Sequence, residues 1–178
     1  MFKTINMKTT NFLVSIVFVI AFLFYCCTKQ KSTQLTVSGV LASHSACKKG
    51  FDSTAQATTI ADTLSCIAYS FDYLTNKLIL IHINAEFNCC LDRLYCTITE
   101  KNDSIIIQEF EESQNCKCNC LYDLDIVING IESKKYKIRF IEPYCGEQKK
   151  IIFGLDLANH KQGIICFTRK QYPWSASN

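Results

Sequence analysis

Cysteines constrain this chain more than any other feature of its sequence. There are 12 of them in 178 residues, and two stand side by side at positions 26 and 27, directly after an apolar run. The other ten are spread over the rest of the chain: Cys47, Cys66, Cys89, Cys90, Cys96, Cys116, Cys118, Cys120, Cys145 and Cys166. Disulfides persist in oxidising compartments and are rare in the cytosol. The compartment to which the chain is delivered therefore decides whether these residues are bridges, metal ligands or free thiols.

The N-terminal segment has the organisation of a secretion signal. Lys3 and Lys8 precede the 14 residues 12–25 (FLVSIVFVIAFLFY), which only Ser15 interrupts. A helix of that length rises about 21 Å at ~1.5 Å per residue, which is less than the ~30 Å hydrocarbon core of a membrane. The pattern therefore predicts a removable signal over residues 1–26, and an uncleaved membrane anchor is the alternative.

The end of this segment, residues 23–29 (LFYCCTK), resembles the lipobox of bacterial lipoprotein precursors. In that family a cysteine is diacylated and the chain is cut before it, so the resemblance implies a lipid on Cys26 or Cys27. The family's small residue before the modified cysteine favours Cys27, because Tyr25 precedes Cys26. The alternative is that both cysteines are oxidised after an ordinary secretory cut.

The rest of the chain would then have two parts. Residues 27–33 would be a polar tether, and residues 34–178 a single domain anchored to the periplasmic or outer face of the outer membrane.

Export predicts that the ten remaining cysteines form a framework of up to five disulfides, although spacing alone does not determine connectivity. We expect local pairings. Cys47 would pair with Cys66 and Cys145 with Cys166. A predicted hairpin would bring together two central groups, which would share three bridges: Cys89, Cys90 and Cys96 on one side, and Cys116, Cys118 and Cys120 on the other.

The run Cys116-Lys117-Cys118-Asn119-Cys120 carries the strongest chemical signal. In a strand, residues i, i+2 and i+4 project from one face at intervals of about 6.6 Å. Parallel side chains at that spacing lie at the limit of disulfide geometry, so each thiol should reach a cysteine on another segment. A metal site is the alternative, although the paired C-x2-4-C elements typical of such sites are absent.

Strand patterns cover most of the body, and they predict an all-β fold. Alternating or β-branched runs separated by turn residues occur at 34–41, 65–71, 77–84, 93–100, 104–110, 123–128, 135–142, 150–157 and 164–170. Short polar loops at 101–103 and 159–163 indicate hairpins. Residues 55–62 form the one weak helix candidate. Eight or nine short strands are typical of an antiparallel β-sandwich or barrel, here braced by disulfides.

Residues 124–140 indicate a narrower class of β-sandwich. A strand ends near Gly130, Ile131 follows, and Tyr136 begins the next strand. This arrangement resembles the Greek-key corner of immunoglobulin-like and transthyretin-like sandwiches, in which a buried Tyr hydroxyl is bonded to nearby backbone. The alternative is an ordinary cross-strand aromatic. The resemblance implies a fold and carries no function with it.

Charge and motifs exclude several function classes. Lys3 and Lys8 are two of the 19 basic residues, so the remainder has 17 basic and 16 acidic residues and lacks the basic excess of nucleic-acid-binding domains. No catalytic residue, cofactor site or metal ligand is assigned. The histidines His44, His82 and His160 are far apart, and His82 is expected to be structural. Glu109, Glu111 and Glu112 are expected to form a solvated strand end, and residues 172–174 (YPW) a packed strand end or an aromatic binding patch.

The cysteine pattern, with Tyr122-Asp123-Leu124 and the closing Tyr172-Pro173-Trp174, resembles that of a group of uncharacterised, cysteine-rich envelope lipoproteins of Gram-negative gut bacteria. The resemblance spans roughly residues 80–175 and implies location and fold, with no activity. Two hypotheses follow. The first is a non-catalytic, lipid-anchored envelope module that binds an envelope protein or a glycan, or has a structural role. The second is an enzyme or a redox or metal accessory that uses the cysteines at 89–90 and 116–120.

Overall fold

A computed structural model describes residues 35–48, 60–114 and 116–170, and this part of the chain contains nine strands and no helix. The strands are β1 (Ser38–His44), β2 (Leu64–Asp72), β3 (Lys77–Asn88), β4 (Leu91–Lys101), β5 (Ser104–Ser113), β6 (Asn119–Asn129), β7 (Lys135–Ile141), β8 (Ile152–Asp156) and β9 (Gln162–Thr168). Each predicted strand is present, so the all-β prediction is confirmed. The expected signal, lipidation site and tether, most of the helix candidate at 55–62 and the aromatic residues 172–174 lie outside the described residues.

Within the described ranges, no helix is long and apolar enough to cross a membrane.

The nine strands form two sheets. The five-stranded sheet has the order β1-β6-β3-β2-β9, and the four-stranded sheet has the order β4-β5-β7-β8. The five-stranded sheet thus takes its strands from the beginning, middle and end of the chain.

One strand pair departs from the purely antiparallel arrangement that the sequence predicts. Strands β5 and β7 pair in parallel, from Ser104↔Lys137 to Gln108↔Ile141, whereas every other strand pair in the described residues is antiparallel. The cause is the path of β6, which lies in the other sheet. The chain reverses on entering β6 and again on leaving it. Strand β7 therefore returns to the four-stranded sheet and runs in the same direction as β5.

The first predicted hairpin is confirmed and the second is wrong. Strands β4 and β5 pair antiparallel around Asn102 and Asp103, whose φ angles of 51° and 57° are those that a tight two-residue hairpin turn requires. The loop at 159–163 joins strands of different sheets, because β8 pairs with β7 and β9 pairs with β2. A short loop is compatible with either path, and burial of apolar side chains on β9 decides between them.

The core lies between the two sheets. Alternate residues of each strand face inward, and those that are at most 1% exposed come from both sheets: Ile67, Leu78, Leu80, Ile105, Ile107, Leu124, Ile126, Ile128 and Ile138. Successive side chains of a strand point to opposite faces of the sheet, so the inward-facing residues of each sheet form a row that buries one of its faces. The two inner rows pack against each other to form one hydrophobic core.

Tyr136 makes the contact that the corner motif predicts. Its side chain is 4% exposed, and its hydroxyl accepts a hydrogen bond from the backbone N–H of Glu132 at 3.0 Å. Glu132 lies in the connection that leads from β6 in one sheet to β7 in the other. The hydroxyl therefore satisfies a backbone donor at the point where the chain changes sheets.

Candidate functional site

Four disulfides brace the described residues, and they join Cys47 to Cys120, Cys66 to Cys166, Cys89 to Cys118 and Cys90 to Cys116. The three cysteines of the C-x-C-x-C run bond to three cysteines on two other segments, and none bridges another. The β4–β5 hairpin brings residues 89–90 close to 116–118, which is the arrangement that the sequence predicts.

The predicted terminal pairs are wrong. Cys47 bonds to Cys120 because β1 lies beside β6, and Cys66 bonds to Cys166 because these residues are cross-strand partners on β2 and β9. Four bridges lie within the predicted maximum of five, but the expected third bridge between the two central groups is absent, and the expectation that Cys96 and Cys145 are bridged is wrong. Cys96 on β4 and the buried Cys145 after β7 are free thiols. Sheet order, which local spacing does not encode, determines these partners.

Two of the bridges are neighbours at one end of the molecule. Cys89 and Cys90 lie in the turn between β3 and β4, and their partners lie in the connection between β5 and β6. The sulfur atoms of Cys89, Cys90 and Cys118 all lie within 4.8 Å of one another. We call Cys89, Cys90, Cys116 and Cys118 the double bridge.

A second constellation lies inside the core. His82 on β3 is wholly buried, and its Nδ1 lies 2.7 Å from Glu109 Oε1 on β5, across the gap between the two sheets. Its Nε2 lies 3.8 Å from Oε1 of Glu142, which also accepts a hydrogen bond from Arg169 Nη2 at 2.5 Å. We call His82, Glu109, Glu142 and Arg169 the buried charge cluster.

These four side chains come from distant parts of the sequence. Their side chains are at most 5% exposed, so each ion pair is shielded from water. Arg169 also donates to the carbonyl oxygen of Lys149 at 3.0 Å and lies 3.6 Å from the sulfur of Cys145. With His82 protonated, the cluster contains two cations and two anions and is neutral. Breaking such a buried group by removing one partner is strongly destabilising.

Ser65 contacts His82 on the side opposite Glu109. Its Oγ lies 2.9 Å from His82 Nε2, so Ser65, His82 and Glu109 follow the hydroxyl–imidazole–carboxylate sequence of a serine hydrolase. Ser65 is 0% exposed, however, and faces the inter-sheet core. A substrate would have to separate the sheets to reach this hydroxyl, so the arrangement acts as an internal polar clamp between them.

The sequence interpretation of the acidic run is wrong for Glu109. Glu109 shares the inward parity of Ile105 and Ile107 on β5, and it is 3% exposed. The alternation of inward and outward residues along β5 is the sequence signal from which the burial of Glu109 could have been predicted. Glu112 is exposed, as expected, and lies 3.9 Å from Arg93. Glu111 is half-buried and accepts hydrogen bonds from the backbone N–H of Asn88 at 2.8 Å and from the hydroxyl of Tyr144 at 2.6 Å.

The three histidines have different surroundings. His82 is buried and fully engaged, as its position in an apolar strand predicts. His44 is exposed at the end of β1, where its ring lies edge-on to Tyr122. His160 is exposed in the connection between β8 and β9. The structure therefore brings none of the three together.

The buried charge cluster should make stability depend on pH. Burial lowers the pKa of His82, but the charge of Glu109, its hydrogen bond and the charge of Glu142 outweigh burial and raise the pKa above its ordinary value. A raised pKa in the fold gives stability that is present below the unfolded pKa of about 6.5 and is lost as pH rises through the folded pKa. The free energy of unfolding should therefore fall as pH rises above about 6.5, by at most about 1.4 kcal/mol per pH unit.

Urea titrations across this range check the expectation. His82→Gln, which keeps a polar side chain but removes the imidazole, should flatten the dependence. His160→Asn, in the exposed connection, should leave it unchanged. A stability that rises with pH over this interval would contradict the assignment.

The outer face of the five-stranded sheet carries an apolar strip among polar residues. Val40, Val127 and Ile79 are cross-strand neighbours, as are Ile81, Ala68 and Ile164, and Ile79 and Ile81 join the two rows along β3. Val40 is 59% exposed and Ile164 is 53% exposed, whereas an outward strand face is usually polar. We call the two joined rows the outer strip.

Strand β9 ends this strip and forms an edge of its sheet. Its sequence, QGIICFT, contains no charged residue and no proline, and no described strand pairs with its free side. Gly163 lies under the ring of Tyr69, and a Cβ there would approach the ring atoms to 2.9 Å. Natural edge strands are usually protected by charges, proline or a bulge. Strand β1 at the opposite edge has such a bulge between Leu41 and Ser43.

The fold and its bridges define the class: an all-β, disulfide-braced protein of two packed sheets. No protein-family model matches the chain, and no curated protein and no solved structure matches it.

Proposed function

We propose that this chain is an exported bacterial lipoprotein that serves as a non-catalytic binding or structural module of the cell envelope. Residues 1–26 would be the signal, and Cys27 or Cys26 would carry the lipid on the periplasmic or outer face of the outer membrane. Four disulfides support this proposal, because such bridges persist in oxidising compartments. The apolar run at 12–25 and the following Cys-Cys pair support it independently.

We also infer the finer fold type from the same molecule. The Tyr136 corner and the two packed sheets support an immunoglobulin-like or transthyretin-like sandwich. The cysteine pattern supports membership of the cysteine-rich envelope lipoproteins that the sequence resembles. A non-catalytic role is supported by Ser65, which is buried where a hydrolase would expose its nucleophile.

The uncharged edge strand β9, continuous with the outer strip, is the observation that carries the proposed binding function. Free backbone groups on such an edge are complemented by another extended strand. The aliphatic strip favours a protein over a glycan, because sugar hydroxyls buried against aliphatic side chains would lose their hydrogen bonds. The proposed partner is therefore an extended, uncharged segment of an envelope protein with apolar residues at alternate positions.

Photo-crosslinking in intact cells tests this. A photoreactive residue in place of exposed Gln162 on β9 should yield one recurrent adduct with an extended segment of another envelope protein. Ile164→Lys should abolish that adduct, because it introduces a buried charge into the pairing. Ile152→Lys, at a comparably exposed position on β8 in the other sheet and outside the outer strip, is the matched control and should retain it.

Two outcomes would contradict this partner. Equal adduct yields in the Ile164→Lys and Ile152→Lys chains would mean that β9 is not the binding edge. An adduct that contains only two copies of this chain would indicate self-assembly in place of a separate partner.

The lipid anchor gives a separate prediction. Replacing both Cys26 and Cys27 by Ser should abolish incorporation of labelled fatty acid and release the protein into the soluble periplasmic fraction, because no thiol remains for diacylation. Fractionation of cells that express the double variant measures this, and Cys96→Ser is the control that should remain lipidated. A double variant that stays with the membranes would instead identify residues 12–25 as an uncleaved anchor.

A further inference from the structure

The double bridge combines two features that the proposed binding function does not use. Four cysteines from two segments are gathered at one end of the fold, and Cys89 and Cys90 are consecutive in sequence. Cys118 is exposed and the other three are half-buried. A small reductant or a metal ion can therefore reach this group of sulfur atoms. In the Cys66–Cys166 bridge, Cys66 is fully buried and Cys166 is exposed, so a reductant can approach that bridge from the Cys166 side alone.

The spacing of the sulfur atoms fits a tetrahedral metal site. Metal–sulfur bonds of about 2.3 Å in a tetrahedral thiolate site place the sulfurs about 3.8 Å apart. Cys89 Sγ and Cys90 Sγ, which are not bonded to each other, already lie 4.0 Å apart, and Cys118 Sγ lies within 4.8 Å of both. Cys116 is bonded to Cys90, so the fourth sulfur is adjacent to one of these three.

Hydrogen bonds hold the two segments together independently of the bridges. The backbone N–H of Cys89 donates to the carbonyl oxygen of Cys118 at 3.1 Å, and that of Gln114 donates to the carbonyl oxygen of Cys90 at 3.1 Å. Asn88 adds a third contact between the segments, because its side-chain amide donates to the carbonyl oxygen of Cys116 at 2.6 Å, and its Oδ1 orders its own turn by accepting from the N–H of Cys90 at 2.9 Å. Opening both disulfides would therefore leave the four sulfurs gathered.

We propose that the double bridge is the oxidised state of a four-thiolate site for a soft divalent metal ion of the zinc type. Two equivalents of a dithiol reduce the two disulfides, which gain four electrons and four protons, while each dithiol is oxidised to its own disulfide. The four thiols then bind one Zn²⁺ and release four protons. Oxidation of the thiolates by a disulfide of higher potential re-forms the bridges and releases the ion. Thiolate ligands suit this class of metal, and exposed Lys117, between Cys116 and Cys118, offsets part of the resulting negative charge.

The test uses the purified full chain in detergent. Limited reduction with dithiothreitol, followed by differential alkylation and mass spectrometry, should open the double bridge while Cys66–Cys166 stays intact. Incubation with Zn²⁺ and gel filtration should then give one zinc per chain, and Co²⁺ should give the intense ligand-field absorption of a tetrahedral thiolate site. The oxidised chain should bind neither ion. Circular dichroism reports whether the reduced chain keeps its β spectrum.

Paired variants make the result specific. Cys90→Ser/Cys116→Ser removes two of the four ligands and leaves the Cys89–Cys118 bridge, and it should reduce zinc occupancy at least tenfold. Cys96→Ser/Cys145→Ser removes the two free thiols outside the double bridge, and it should retain one zinc per chain. The proposal is overturned if the reduced, folded wild type binds no zinc, if the Cys90→Ser/Cys116→Ser variant binds as well as wild type, or if reduction of the double bridge abolishes the β spectrum.

Discussion

Arg169→Met should lower the free energy of unfolding by about 3–5 kcal/mol, the usual loss when one partner of a buried ion pair is removed. Met fills similar volume, so the loss comes from charge: Glu142 and Glu109 would remain buried with His82 as their one cation. Urea denaturation under non-reducing conditions measures the change. Lys170→Met, at the next and exposed position, should change stability by no more than about 0.5 kcal/mol.

A double variant separates charge from packing. Arg169→Met/Glu142→Leu removes the ion pair as a unit, and apolar replacement of a whole buried pair is often close to neutral. Its stability should recover most of the loss caused by Arg169→Met alone. A double variant that is as unstable as the single variant would mean that the guanidinium acts chiefly by its contacts with Lys149 and Cys145.

Cys66→Ala/Cys166→Ala should give the other large effect. This disulfide joins residues 100 apart in sequence, and the chain-entropy relation assigns a closed loop of that size about 4.7 kcal/mol. Cys90→Ala/Cys116→Ala removes a bridge across 26 residues, but the neighbouring Cys89–Cys118 bridge keeps almost the same loop closed in the unfolded chain, so it should cost much less. Thermal or urea unfolding of the two double variants side by side provides the comparison. A larger loss for the shorter loop would show that local contacts, and not chain entropy, determine the contribution of these bridges.

The strands could be predicted from sequence because their signal is local. Residues 77–84 alternate, and the polar turn at 101–103 joins two β-branched runs, so both elements follow from a few adjacent residues. The partner of a strand is a different question. The loop at 159–163 has hairpin length, yet β9 lies beside β2, because its inward residue Phe167 is buried in the core there.

The buried charge cluster was only partly visible in the sequence. His82 stands in an apolar strand, and its structural role could be predicted from that context. Glu109 continues the inward parity of Ile107, but the neighbouring exposed Glu112 made the run look solvated. Arg169 follows β9, and its proximity to Glu142 depends on how the two sheets pack. The partners within the buried charge cluster are therefore determined by tertiary packing, and no local sequence pattern identifies them.

The position of β9 beside β2 has a consequence for the order in which the exported chain that we propose becomes oxidised. A chain emerges N-terminus first, so Cys47 and Cys66 would be exposed together well before Cys120 and Cys166 follow. The earliest bridge available to them is the one between themselves, which the fold does not contain. Native pairing then requires either that Cys47 stays reduced until β6 has arrived and Cys66 until β9 has arrived, or that a disulfide isomerase reverses the premature bond. Maturation of this protein should therefore be limited by thiol exchange, which takes seconds to hours, rather than by strand pairing.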